Sequence, residues 1–270
     1  MNGELAQVVT LVAYGNHLLT GNDVDLSSNS TFQYLFSIKF ARYKSNKDKS
    51  GDVVAGSISE WFAFLRSNQV SRLWNVAFAW DRPDMPEHIA ASFAGGVARA
   101  IQADLPGGYE LWYPLWQTGG PQDKPWNVEY RGLMFANSHV YPSPPVAFVK
   151  GELQKAITDA VSFSRKPEVG AGFWADHFTK SLDLLESPAP VMPYHPDMLP
   201  DTGFDLEARQ VMAAAAQAYV FGGMGSWNDM GFADKNLNNE YEKITKELYE
   251  AVKMSIVIAS NSYTKKQVGS

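Results

Sequence analysis

A short acidic segment, DRPDMPEH, carries residues whose types and spacing could do catalytic or metal chemistry. Its candidate groups are Asp81, Asp84, Glu87 and His88, which are predicted to follow a strand. Loops at strand ends often hold catalytic carboxylates, and oxygen ligands of this kind bind Mg²⁺ or Ca²⁺. One hypothesis is therefore a metal-dependent hydrolase. We favour a structural interpretation, because Asp84 and Glu87 have the spacing of a capping box at a helix start.

A glycine-rich segment, FGGMGSWNDMGF, is the second candidate site. Gly222, Gly223 and Gly225 do not match G-x-G-x-x-G, and they follow a predicted helix instead of a strand. No Lys-Ser/Thr pair follows them, so a phosphate-binding loop is not expected either. We predict a structural joint in which Gly222 or Gly223 stops a helix. In that joint Trp227 packs against the last helix, and Asp229 or Asn228 makes local turn hydrogen bonds.

No complete catalytic signature accompanies these two segments. The sequence has neither H-E-x-x-H nor G-x-S-x-G, and it contains no cysteine. The absence of cysteine excludes disulfides, thiolate metal sites and a cysteine nucleophile. We therefore expect a protein that has no cofactor and acts by binding, while the hydrolase hypothesis stays open.

Aromatic residues concentrated in two predicted strands give a candidate binding surface. Strand alternation places Trp112 and Trp116 on the face opposite Tyr113, so some aromatic surface is expected to be exposed. Exposed aromatic rings stack on sugars or anchor protein interfaces. The sequence thus predicts binding through Trp112, Trp116 and Trp126, with a carbohydrate-binding module as one alternative.

The charge balance limits the classes of partner. The 270-residue chain has a formal net charge of −6, and its acidic excess is concentrated between residues 201 and 260. An acidic chain is poorly suited to nucleic acid or an anionic membrane, and it is compatible with a basic protein partner. No stretch has the roughly 20 apolar residues that a membrane-spanning helix needs, and the first residues lack a basic leader. We therefore predict a cytoplasmic protein that binds neither membranes nor nucleic acid.

The last predicted helix carries much of this acidic surface. Its inner stripe is apolar, whereas Glu242 and Glu250 lie on the polar side, where each has i, i+4 spacing to Lys246. These two carboxylates are candidate contacts to a partner. A solvated face without a specific role is the usual alternative for such charges.

Hydrophobic periodicity predicts an α+β fold. An N-terminal, mainly antiparallel sheet with interleaved helices is expected to pack against a helical C-terminal half. We expect one domain over residues 1–262, sheet-rich over 1–140 and helical over 145–262. A flexible tail is predicted over 263–270.

Two predictions about single elements are specific. Residues 7–14 are rich in β-branched side chains, which favours a strand. Asp84 is predicted to begin a helix whose apolar stripe at i, i+4 spacing continues to Ile101.

The segment AYVFGGMGSWNDM, followed by YEKITKELYEAVKMSIVIASNS, resembles a known family. It is similar to the C-terminal signature of bacterial immunity proteins from polymorphic-toxin and type VI secretion loci, in particular the family called immunity protein 52. The resemblance covers about the last quarter of the chain. It implies an α+β, cytoplasmic, non-catalytic protein that binds and blocks a cognate toxin, often a nuclease. It implies no particular contact residues.

Overall fold

The computed structural model of the protein describes residues 1–78, 84–93, 95–96, 98–136 and 143–265. Within these residues the helices are α1 (Gly3–Leu19), α2 (Ile58–Ser67), α3 (Glu87–Ala90), α4 (Val146–Ser164), α5 (Gly172–Glu186), α6 (Leu206–Gln217) and α7 (Lys235–Asn261). The strands are β1 (Leu35–Tyr43), β2 (Asp52–Ala55), β3 (Arg72–Ala77), β4 (Arg99–Leu105), β5 (Gly108–Thr118) and β6 (Trp126–Ala136). The sheet lies in the N-terminal half and α4–α7 in the C-terminal half, so the predicted α+β fold is confirmed.

The six strands form one sheet in the order β2-β1-β6-β5-β4-β3. The neighbouring pairs are antiparallel except for β1 and β6, which are parallel. The prediction of a mainly antiparallel sheet is therefore confirmed. In the sheet that the described residues form, β2 and β3 are the edge strands.

Helix α1 lies between two hydrophobic cores, and the strand predicted over residues 7–14 is wrong. Leu5 packs with the helices of the C-terminal half, whereas Leu11 packs with α2 against the sheet. A helix that is apolar on nearly all sides has no amphipathic period, so its β-branched residues are the stronger signal in the sequence. The Asn2 side chain begins this helix by accepting a hydrogen bond from the Leu5 N–H at 3.0 Å.

The long helix predicted to begin at Asp84 is also wrong. Helix α3 is a single turn that begins after Pro86, and no side chain caps it. The chain then turns at Gly95, whose φ is +74°, and a Cβ at Gly96 would lie 1.7 Å from an upstream carbonyl oxygen. Only glycine fits such a turn, which lets the chain leave α3 and enter β4 as a strand.

The prediction of a flexible tail from residue 263 is wrong for the first two residues of that segment. Tyr263 is buried and packs edge-on against Phe204, with the ring centroids 5.5 Å apart. The Thr264 N–H donates to the Gly203 carbonyl at 2.9 Å. An aromatic ring and a backbone hydrogen bond therefore hold the chain just after α7.

The edge strand β3 is completed by two asparagine side chains. Asn16 on α1 donates from Nδ2 to the Leu73 carbonyl and accepts from the Leu73 N–H, both at 2.9 Å. Asn261 on α7 does the same for Asn75, donating at 2.9 Å and accepting at 2.7 Å. Each amide therefore pairs with a residue of β3 as a neighbouring strand would, which satisfies backbone groups that an edge strand leaves open.

Replacing Asn16 with alanine is expected to lower the free energy of unfolding by about 2–4 kcal/mol. The reason is that the buried N–H and carbonyl of Leu73 both lose their partner, and each then carries a desolvation cost. Urea denaturation of the purified variant measures the change.

Asn236→Ala is the matched control, because Asn236 is exposed on α7. It is expected to change stability by less than about 0.5 kcal/mol. Equal effects of the two substitutions would contradict the edge-pairing role of Asn16.

Candidate binding groove between helices α3 and α7

A cavity of about 720 Å³ lies between α3, the glycine-rich segment and the first half of α7. We call it the α3–α7 groove. It brings together residues from three separate sequence predictions: Glu87 and His88, Glu242 and Glu250, and the segment around Trp227. Its wall consists of Pro86, Glu87, His88, Ile89, Asn228, Met230, Asn238, Tyr241, Glu242, Lys246, Tyr249 and Glu250.

The glycine residues of this segment do not stop the preceding helix, so that prediction is wrong. Helix α6 ends at Gln217, and the N–H of its C-cap residue, Ala218, donates to Ala214 at 2.8 Å. Gly222 and Gly223 follow several residues later in irregular chain. The C-cap residue, Ala218, keeps right-handed backbone angles. The helix therefore ends without the left-handed position at which glycine is favoured.

Trp227 anchors the segment to α7, as predicted. Its side chain is fully buried, and its indole Nε1 donates to the Thr245 hydroxyl at 2.7 Å. Its backbone carbonyl accepts from the Tyr241 hydroxyl at 2.6 Å. The ring also packs at centroid distances of 5.1–6.2 Å against four aromatic rings, those of Phe163, Trp174, Phe178 and Tyr241.

Asp229 makes the local turn hydrogen bonds that the sequence predicts. Its carboxylate accepts from the backbone N–H of Gly225 and, at 3.2 Å, from that of Ser226. Ser226 and Asp229 form a capping box around the single 3₁₀ turn Trp227–Asp229. Gly225 has a φ of +82°, so a glycine is required there for a conformational reason.

Asn228 joins this turn to α3 and so fixes the width of the groove. Its Nδ2 donates to the His88 carbonyl at 2.9 Å and to the Ser92 hydroxyl at 3.1 Å. Its Oδ1 has no hydrogen-bond partner among the described residues. A buried amide oxygen at the wall of a groove is an acceptor that a bound ligand can use.

The charged groups of the groove are paired differently from the sequence prediction. Lys253 donates to Glu87 at 2.5 Å and to Glu250 at 2.9 Å, so one ammonium group neutralises two carboxylates in part. Glu242 accepts from the Asn238 amide at 2.8 Å. Lys246 forms no ion pair within the part of the chain that the structure describes, so its predicted pairs with Glu242 and Glu250 are absent there. Carboxylates outnumber ammonium groups in and around the groove.

His88 is partly buried in the wall of the groove. Burial lowers its pKa from the ordinary value of 6.5, and the carboxylates of Glu242 and Glu87 oppose that shift. The ring stands edge-on to Phe221 at 6.4 Å and tilted to Tyr249 at 6.2 Å. The His88 ring therefore acts as a packing residue in the wall of the groove.

Sequence reasoning gave Asn228 only local turn hydrogen bonds and missed its bond to α3. It also missed Lys253, which pairs with Glu87 of the groove, and Arg99, which is buried near Glu87 and Tyr249.

Arg99 begins β4, is 5% exposed, and has no partner for Nε and Nη1 among the described residues. Burial lowers the pKa of its guanidinium, and the nearby Tyr249 and Glu87 oppose that shift. A charged residue directly before the apolar pair Ala100 and Ile101, at the head of the strand RAIQADL, is the signal that could have found Arg99.

The hydrolase hypothesis finds little support in the described part of its segment. Asp84 is exposed, and Glu87 is engaged by Lys253. Asp81 lies outside the described residues. Among the residues that are described, no three His, Asp or Glu side chains come together as a set that could hold a metal ion.

The three tryptophans predicted to bind a partner have different environments, and the prediction is wrong for Trp112. Its side chain is fully buried and packs edge-on against Phe40 at 6.0 Å, so it cannot contact a partner. Trp116 and Trp126 are half-buried and lie edge-to-face at 5.7 Å. Together they line a small cavity of about 190 Å³ that also includes Glu4. This pair keeps the carbohydrate-binding hypothesis open, because a ring face beside polar groups suits a sugar.

Comparison with protein-family models, curated proteins and solved structures finds no match. The resemblance to the immunity proteins therefore stays a prediction.

In the described ranges, no helix has both the length and the apolar character that crossing a membrane requires.

Thr245→Val is expected to destabilise the protein by about 1–3 kcal/mol. Valine has nearly the shape of threonine, but it leaves the buried indole N–H of Trp227 without an acceptor. Thermal or urea unfolding measures the loss. Thr158→Val on the exposed side of α4 makes the same chemical change and should alter stability by less than about 0.5 kcal/mol.

Acidification is expected to destabilise the protein in part through His88. Because the pKa of His88 is lower in the folded state than its ordinary value of 6.5, the unfolded chain binds more protons just below that pH. Stability should therefore fall as the pH drops from about 7.5 to about 5.5. His88→Gln, which does not titrate, should show a smaller fall in urea denaturation. The same pH dependence in both proteins would contradict this assignment.

Proposed function

We propose that the protein is a non-enzymatic immunity protein that binds a cognate bacterial toxin in the cytoplasm and neutralises it by direct contact. The observation that supports this proposal most is the α3–α7 groove. It is open to solvent on the side of α7, where Glu242 and Glu250 are exposed. Its walls offer hydrogen-bonding and charged groups that suit recognition of another protein surface.

The chemistry of the groove favours binding over catalysis. None of its lining residues is a serine, threonine or cysteine that could act as a nucleophile. Its most buried carboxylate, that of Glu87, is paired with Lys253. His88 lies against aromatic rings, and burial lowers its pKa, which disfavours the protonated imidazolium. These groups hold one another in place and do not form a nucleophile with an adjacent base.

The position of the groove also favours recognition. One wall is α7, which the buried Trp227 and its hydrogen bond to Thr245 tie to the helical core. The other wall is fixed to the same segment through Asn228. A surface that is held in one conformation before binding loses less entropy when its partner arrives.

The charge of the protein agrees with a basic partner. The net charge is −6, and the exposed carboxylates of the groove add to the acidic surface of α7. Opposite potentials speed the encounter of two proteins and suppress wrong partners. A toxin that acts on nucleic acid carries basic side chains for its phosphate contacts, so its active surface would fit an acidic groove.

Co-expression with the product of the adjacent toxin gene tests the proposal. The protein is expected to restore growth of the producing cells and to form a stable complex with that toxin. Growth arrest in spite of co-expression, or two proteins that elute separately after mixing, would contradict it.

Glu242→Lys is expected to weaken the complex about tenfold and to make its affinity less sensitive to salt. Glu242 is exposed and contacts only Asn238 among the described residues, so the substitution should leave folding intact. Titration calorimetry at two salt concentrations measures both effects.

Glu168→Lys is the matched control, since Glu168 is exposed in the turn between α4 and α5 and receives the same change of charge. It should bind the toxin as tightly as the unchanged protein. If both variants weaken binding equally, net charge and not the groove determines the affinity.

A further inference from the structure

A second pocket lies on the sheet, on the face opposite α1 and α2. Trp112 and Tyr130 point into the core beneath those helices, so the residues next to them in β5 and β6 point the other way. These residues include Tyr113, Arg131 and, further along β6, Leu133. The pocket is therefore separate from the α3–α7 groove.

This pocket has a volume of about 290 Å³ and is lined by Tyr43, Ser45, Asn46, Tyr113, Arg131 and Leu133. The register of the sheet explains the recess. Arg131 lies between Tyr113 on β5 and Ala41 on β1, and Leu133 lies beside Tyr43. The lining therefore combines two aromatic rings, those of Tyr43 and Tyr113, with the apolar side chain of Leu133.

The guanidinium of Arg131 is held in a fixed orientation. Its Nε donates to Glu129 at 3.1 Å, and its central carbon lies 4.9 Å from the centre of the Tyr43 ring. Glu129 is itself fixed by the Tyr43 hydroxyl and by Lys39, whose Nζ is 2.9 Å away. These contacts use only the Nε of Arg131.

The terminal nitrogens of Arg131 have no hydrogen-bond acceptor among the described residues. Two parallel N–H groups of a guanidinium match the two oxygens of a carboxylate. Arg131 is the charged residue in the lining of the pocket. Its partner Glu129 is also paired with Lys39, and the nearby Asp48 carboxylate accepts from the Ser45 N–H at 3.0 Å, so both carboxylates already have partners.

The side chains at the sides of the pocket determine which group can accompany the carboxylate of a ligand. The Tyr113 ring is supported by Phe78, which stacks on it with the ring centroids 5.5 Å apart. A flat apolar group can therefore lie between Tyr113 and Leu133 while its acid group meets Arg131. We propose that this pocket binds a small carboxylate with a flat, apolar body, such as an aromatic acid. A pocket of about 290 Å³ admits one such molecule and excludes large cofactors.

Benzoate and its neutral analogue benzamide test the proposal. We expect benzoate to bind the full-length protein saturably, with a dissociation constant of about 1 mM, and about tenfold more tightly than benzamide. Titration calorimetry gives the affinities, and shifts of amide resonances from β5 and β6 locate the site. Equal affinities for the two compounds, or shifts confined to other elements, would overturn the proposal.

Arg131→Gln is expected to weaken benzoate binding about tenfold and to leave benzamide binding unchanged. Lys235→Gln is the control, because it makes the same change of charge at an exposed position of α7 that does not line the pocket, and it should leave benzoate binding unchanged. Circular dichroism shows whether each variant is folded. Should Arg131→Gln fail to fold, Arg131→Lys, which keeps the charge but loses the paired donors, replaces it and should also weaken binding. Undiminished benzoate binding by a folded Arg131 variant would overturn the proposal.

Discussion

The hydrogen bonds that two asparagine side chains make to one edge strand determine how the parts of this molecule fit together. Asn16 and Asn261 each pair with a residue of β3 through both the donor and the acceptor of their amides. The two asparagines come from α1 and α7, which lie far apart in the sequence. Their amides set the position of both helices along the sheet to within a hydrogen-bond length. Since α7 carries one wall of the α3–α7 groove, the geometry of the groove follows from the same contacts.

One side of α7 packs against the core of the protein, and the other side faces solvent, where the proposed partner would bind. On its inner side, Thr245 accepts a hydrogen bond from the indole of Trp227. The ring of Tyr263 packs against Phe204 just after the last residue of α7. Its outer side presents Glu242 and Lys246 to solvent. The role of the glycine-rich segment is therefore structural and does not require phosphate binding. Its turn joins α7 to α3 through Trp227 and Asn228, and this connection positions the groove.

Much of the fold could be predicted because local patterns agree with the tertiary structure. The amphipathic helices of the C-terminal half and the burial of Trp227 both follow from short-range signals. The sequence failed where a tertiary environment overrides the local signal. Helix α1 looks like a strand because it is buried on nearly all sides, and Trp112 looks like an exposed ring because alternation does not tell which face is covered. The pairing of Lys253 with Glu87 could not be predicted, because it joins residues that are distant in the sequence.

The central position of α1 has a consequence for how the chain folds during synthesis. Its apolar side chains leave the ribosome before the residues that cover them, which belong to the sheet and to α4–α7. Contacts of such large sequence separation form late, since a long loop must close before they contribute. The first helix therefore stays without its full cover until synthesis has passed α7. A break in the chain between the sheet and α4 would leave the core beneath the sheet complete on the N-terminal fragment, whereas the helical fragment would lose the part of its core that α1 supplies.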